Sequence, residues 1–173
     1  MFLFCCIKNY SSMEIEKKLQ YLLDRFEIQD VITKYSFGQD LHQGEDRNVQ
    51  EVWKDVFTDD AVLDFQAAGN PPTNYQNMIK IMRGDGVHNG NMSSFSNWQH
   101  LMGNPVVEII GNEASARTDL WATHKGRIDV GIPNQSLYVA GAFSDELVKT
   151  DHGWRICYRK LEIHFMDNIH TVQ

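Results

Sequence analysis

Asp40 and His100 are the two residues of this chain with the plainest capacity for chemistry. Asp40 closes an early amphipathic stretch, and His100 lies far downstream in Trp98-Gln99-His100-Leu101-Met102-Gly103. An imidazole beside a carboxylate takes up a proton near neutral pH, while the carboxylate fixes the tautomer and stabilises the imidazolium. The sequence contains no G-x-G-x-x-G, P-loop, nucleophile elbow, C-x-x-C, H-x-H or H-E-x-x-H. An Asp–His pair without a neighbouring nucleophile points to proton transfer rather than covalent catalysis, and to chemistry with no cofactor and no metal.

Only a fold can bring these two residues together. From Met13 the chain reads as a helix, with Leu19, Leu22, Leu23, Phe26, Ile28, Val31, Ile32 and Tyr35 forming one broad apolar face. Gly38 and Gly44 weaken it on either side of Asp40. A second helix is predicted from Arg47 to Phe57, a short strand over 61–65, and a third helix over 75–82. Residues 84–97 lack periodicity and read as a loop beside a site. Strands follow over 105–110, 114–125, 136–149 and 154–166. Turns fall at Gly111-Asn112, Gly131-Ile132-Pro133-Asn134 and Asp151-His152-Gly153. Helices followed by a long-stranded antiparallel meander define an α+β domain with its helices on one face of a curved sheet. Residues 1–12 read as a flexible extension, and 13–173 as one domain.

Composition narrows the class. A chain of 173 residues with 42% hydrophobic content, four Trp, six Tyr and nine Phe is large enough for a real core. Its net charge of -7 disfavours nucleic acid and anionic membranes as partners. The first seven residues are apolar but too few to span a bilayer. Cys5, Cys6 and Cys157 form no ligand pattern and read as free thiols of a reducing, cytoplasmic compartment. Trp121, Tyr138, Phe143, Trp154, Tyr158 and Phe165 spread over both faces of the late strands, which predicts a homo-oligomer, a homodimer or homotrimer, burying the second face.

Phe26-Glu27-Ile28-Gln29-Asp30-Val31-Ile32, then Tyr35 and Asp40, then Phe57-Thr58-Asp59-Asp60-Ala61-Val62-Leu63-Asp64-Phe65 resemble the SnoaL-like branch of the nuclear transport factor 2 superfamily. Asp151-His152-Gly153-Trp154-Arg155-Ile156 fits the same pattern. The resemblance runs from about Met13 to Met166. It implies a cone-shaped, curved antiparallel sheet wrapped around N-terminal helices, with an apolar pocket inside. Within the superfamily the likeness is to scytalone dehydratase, bile-acid 7α-dehydratase and hexachlorocyclohexane dehydrochlorinase. It implies His100 as base, Asp40 as its orienting partner, and His124 as a second pocket histidine. Tyr35 matches a Tyr of the bile-acid enzyme and a Lys of the dehydrochlorinase. Phe65 stands where scytalone dehydratase has a Tyr. Glu162 or His164 occupies the region of an Arg in the other two, so the anchor for a leaving group is absent or altered.

The candidate site is therefore Asp40, His100 and Tyr35 for chemistry, with His124, Phe65, Asp119, Trp121 and His164 for substrate. Strict alternation turns Leu120, Ala122 and His124 to one face and Asp119, Trp121 and Thr123 to the other; a bulge would exchange them, so both sets stay open. The leading expectation is a cofactor-independent lyase, a dehydratase acting on a small, largely apolar cyclic substrate. An isomerase or polyketide-cyclase-type reaction would use the same base, and a non-catalytic binding or assembly module would use the same cone.

Overall fold

The computed structural model describes residues 3–42, 48–129 and 135–170, with side chains described from Glu14 onward but not at His170. Gly44, the expected helix start at Arg47, the Gly131-Ile132-Pro133-Asn134 turn and the thiols of Cys5 and Cys6 lie outside the described residues. The elements are helices α1 (Leu3–Gln39), α2 (Val49–Trp53) and α3 (Tyr75–Arg83), and strands β1 (Phe57–Asp64), β2 (Phe95–Met102), β3 (Val106–Ile110), β4 (Glu113–Gly126), β5 (Gln135–Thr150) and β6 (Gly153–His170). A 3-10 turn, Gln66–Ala68, follows β1.

The six strands form one curled, unclosed sheet in the order β1-β6-β5-β4-β2, with β3 beside the first half of β4. Its strands are antiparallel except β1, which runs parallel to β6, so the sheet is mixed where a wholly antiparallel one was expected. Phe57 pairs with Ile156 just after the β5–β6 hairpin, so α2 delivers the chain to β1 at the end where β6 begins. Curvature comes partly from a register shift at Ala140/Gly141. A Cβ on Gly141 would lie 2.0 Å from the Glu162 carbonyl oxygen, so only glycine permits that approach.

α1 packs into the cone through Ile28, Val31, Ile32 and Tyr35, spaced to share one helix face and all buried. The face is narrower than the sequence suggests: Leu19, Leu22, Leu23 and Phe26 are exposed. The helix also begins at Leu3, well before Met13. Asp24 ties α1 to the hairpin, accepting from Lys149 Nζ at 2.6 Å and Trp154 Nε1 at 3.0 Å. Trp53 of α2 stacks on Tyr35 with ring centroids 4.9 Å apart and donates its indole N–H to the Tyr35 carbonyl at 3.1 Å. That approach needs Gly38, where a Cβ would meet the Trp53 ring at 2.5 Å.

Other elements differ from the sequence expectation as well. α2 stops at Trp53 because Val56 and Phe57 join the sheet, the Val56 carbonyl accepting from Ile156 N at 2.9 Å. Residues 95–102, expected partly as loop, form β2, which pairs with β4 from Phe95 to Met102 and carries His100.

Candidate active site

Asp40 follows the last residue of α1, its N–H still bonded to the Ser36 carbonyl at 2.8 Å. The carbonyls exposed by the helix end find side-chain donors. Gln39 O accepts from Trp98 Nε1 at 2.8 Å and Arg83 Nη2 at 2.7 Å, and Leu41 O accepts from Arg83 Nη2 at 2.9 Å. The Arg83 guanidinium lies 4.2 Å from the centre of the Trp98 ring. Thus α3 and β2 fix the point where α1 ends, and with it Asp40.

The Asp40 carboxylate holds His100 twice. Its two oxygens accept the His100 backbone N–H at 3.0 and 2.9 Å, and Oδ1 meets Nδ1 at 2.7 Å. With Nδ1–H donated to the carboxylate, the neutral ring carries its lone pair on Nε2. The His100 side chain is only 9% exposed and Asp40 25%. A polar hollow of about 490 Å³ borders Asp40 and His124.

His100 lines a second cavity of about 290 Å³ inside the cone, close to the lower size of pockets that hold small molecules. Its walls are mostly apolar: Phe65, Met82, Met92, Leu120, Val139, Phe143 and Leu161. Ala67, Ala68, Asn70 and Asn91 contribute to its lining, with Asn91 Nδ2 donating to Asn70 Oδ1 at 2.9 Å. The polar groups at the cavity are Tyr35, Gln39, His100 and His124 beside that asparagine pair.

His124 packs edge-on against His100, ring centroids 5.5 Å apart. Burial first, and the neighbouring His100 second, push its pKa down to about 4. His124 is therefore neutral at pH 7, a hydrogen-bonding group rather than a store of protons. Tyr35 is fully buried, and burial drives its phenol pKa up, against the pull of Arg159. It stays protonated, with an O–H that can donate a hydrogen bond.

The structure brings Tyr35, Phe65, His100 and His124 to one cavity, with Asp40 behind His100. It does not bring Asp119, Trp121 or His164 there. β4 pairs with β5 from Glu113 to Lys125 without a register shift, so simple alternation holds. Leu120, Ala122 and His124 line the cavity, while exposed Asp119 and Trp121 take the outer face, Trp121 packing near Tyr138 and Phe165. In β6 the register passes from Phe165 opposite Ala140 to Ile163 opposite Gly141, leaving His164 as the bulged, exposed residue. Glu162 pairs with Arg117 at 2.8 Å, also away from the cavity.

Sequence reasoning missed Gln39 and Arg159. Gln39 directly precedes Asp40 and could have been found from that adjacency. Arg159 is fully buried, its guanidinium 4.1 Å from the Tyr35 ring centre and 4.4 Å from that of Phe143. Nothing in an alternating strand sequence marks an arginine as inward-facing. Among the described residues no group of three or more His, Cys, Asp or Glu could hold a metal, and no helix is long and apolar enough to cross a membrane.

The profile of the SnoaL-like domain family matches residues 20–160, and the chain belongs to that family. Its fold is that of the nuclear transport factor 2-like superfamily. An uncharacterised protein of Mycobacterium tuberculosis is 26% identical over 155 residues, 90% of this chain and 92% of its own length. The structure of a type-3 hexachlorocyclohexane dehydrochlorinase from Novosphingobium barchaimii matches with a TM-score of 0.69 at 18% identity, covering 90% of this chain and 99% of that one. A provisionally named scytalone dehydratase from Novosphingobium aromaticivorans matches with a TM-score of 0.65 at 19% identity, covering 88% and 91%. At these identities the two structures establish the shared fold.

Proposed function

We propose that this chain is a cofactor-independent lyase of the dehydratase type, acting on a small, largely apolar cyclic substrate. The single observation that carries the reading is the Asp40–His100 pair. Its bonded nitrogen faces the carboxylate and its ring lines a mostly apolar cavity. In the proposed reaction, Nε2 of His100 removes a proton from a ring carbon next to a carbonyl. The C–H electron pair becomes the new C=C bond, and the hydroxyl on the neighbouring carbon leaves as water, taking up the proton that His100 has removed. Asp40 stabilises the imidazolium and holds its orientation. Neutral His124 and protonated Tyr35 hydrogen-bond the carbonyl or the departing oxygen. A positioned base supplies about 10²–10⁴-fold, and confinement in the cavity adds the rest.

Relatives of this fold named for dehydration and dehydrochlorination support elimination as the reaction class. Isomerisation, in which the proton returns to another carbon, and ring closure by carbanion attack start from the same step. A purely structural module is disfavoured by a cavity left open rather than filled by the chain's own side chains. The proposed assembly is a homo-oligomer of this chain, closed over exposed Leu101, Val106, Trp121 and Phe165; light scattering reporting a monomer at micromolar concentration would remove it. The decisive assay follows enone absorbance from a panel of cyclic β-hydroxyketones. Absorbance growth that disappears in His100→Ala is expected. If no member of the panel forms an enone yet exchanges its α-hydrogen in D2O, the reaction is isomerase-like instead.

A further inference from the structure

Gln39 is 4% exposed and is among the residues that line the cavity, its side chain with most of its hydrogen-bonding capacity unspent. Nε2 lies 3.5 Å from Met82 Sδ and 3.4 Å from Met92 Sδ, both weak acceptors. Oε1 is buried without any partner. The backbone of the same residue is fully engaged through Trp98 and Arg83, so the helix end does not need the side chain. Thioether sulfurs carry no proton to donate, which orients the amide: N–H toward the sulfurs, carbonyl oxygen free. A buried acceptor left unpaired destabilises the protein, so such a group is explained when a ligand completes it.

We infer that Gln39 is a specificity-determining residue that accepts a hydrogen bond from an O–H or N–H group on the substrate. The inference rests on the cavity being the substrate site and sharpens that reading. Within the apolar walls, a free acceptor beside the base selects a hydroxylated or N–H-bearing ring over a bare or halogenated hydrocarbon. A site built to pair with a donor discriminates strongly against an analogue that lacks it. Gln39 and His100 line the same cavity, so the donor is held in the cavity that His100 serves. The substrate is thereby aligned as well as chosen.

Two probes of nearly equal shape test this, 2-naphthol and 2-fluoronaphthalene, the second donating no hydrogen bond. Equilibrium dialysis on the full chain is expected to give about ten-fold tighter binding of 2-naphthol. Gln39→Leu should bring that ratio near one, and Gln39→Met, which keeps the length of the side chain, should do the same. Both variants should unfold at the same denaturant concentration as the parent or a higher one, because an unpaired buried acceptor has been removed. An unchanged ratio in a folded variant overturns the inference, as does binding of neither probe by the parent. A lower unfolding midpoint with the ratio intact assigns Gln39 to the scaffold and also overturns it. His100→Ala should retain the ten-fold preference, so loss of turnover there without loss of preference keeps this test separate from the proton-abstraction reading.

Discussion

Two carboxylates in this domain pair with a basic side chain in opposite ways. Asp145 and Arg159 sit opposite each other on β5 and β6, both fully buried, joined by two parallel bonds of 2.7 Å. The remaining faces of the guanidinium are covered by the Tyr35 and Phe143 rings. Burial alone would lower the Arg159 pKa, but Asp145 more than reverses it. Asp40 and His100 come from elements far apart in the chain, and their ring contact is a single bond of 2.7 Å. One ring nitrogen stays uncommitted beside a cavity. The contrast is one of access: neighbouring strands deliver a pair closed off in the core, with Nη1 of Arg159 left without a hydrogen-bond partner, while a helix end and a strand deliver one still open to a cavity.

Cutting the closed pair should have the largest effect. Asp145→Ala strands a buried guanidinium, and the expected loss is about 3–5 kcal/mol of stability. Replacing both partners, Asp145→Leu with Arg159→Met, should restore much of it. Chemical denaturation of the two variants checks this, and a mild loss in Asp145→Ala would mean water reaches Arg159. Cutting the open pair should act on rate instead. His100→Ala is expected to lose about 10²–10⁴-fold in turnover while its denaturation midpoint stays near the parent's. Asp40→Asn should be nearly as inactive, because the amide removes the charge and permits the wrong tautomer. Equal turnover by folded His100→Ala would falsify the base assignment.

The third test asks how far the closed character extends into the site, through His124. Its pKa of about 4 lies below the usual histidine value of 6.5. The unfolded chain therefore binds a proton that the folded chain refuses between those values. Stability from this group is complete above pH 6.5 and is lost as pH falls toward 4, amounting to about 3 kcal/mol. His124→Gln should flatten the stability profile across that window. A profile unchanged by the substitution would show that His124 titrates normally.

Much of this was legible in the chain. The Asp40–His100 contact, the three helices and the Asp151-His152-Gly153 hairpin follow from residue type, periodicity and resemblance. What was lost was register. Residues 95–102 alternate poorly because β2 is only partly covered on either face, so 95–97 read as loop and 98–102 as no element, although they carry His100. Simple alternation already separated His124 from Asp119 and Trp121, yet without the β5 pairing neither set could be dropped. His164 fell to a bulge that no local pattern announces. Gln39 and Arg159 escaped because a buried polar residue looks, in sequence, like an exposed one.

Tyr35 lies between the two pairs and gives the smallest and finest test. Its ring belongs to the scaffold, stacked on Trp53 and facing Arg159, whereas the side chain also lines the cavity of His100. Tyr35→Phe keeps the stacking and removes only the hydroxyl. If that hydroxyl hydrogen-bonds substrate, turnover should fall by roughly five-fold, about 1 kcal/mol, with stability changed by less than that. Because burial keeps the phenol protonated well above its ordinary range, its ionisation cannot shape the pH–rate profile. Parent and variant should therefore show the same alkaline limb at different heights. A turnover loss that grows with pH would place an ionising Tyr35 in the reaction, whereas a loss of stability without a loss of rate would return the hydroxyl to the Asp145–Arg159 side of the comparison.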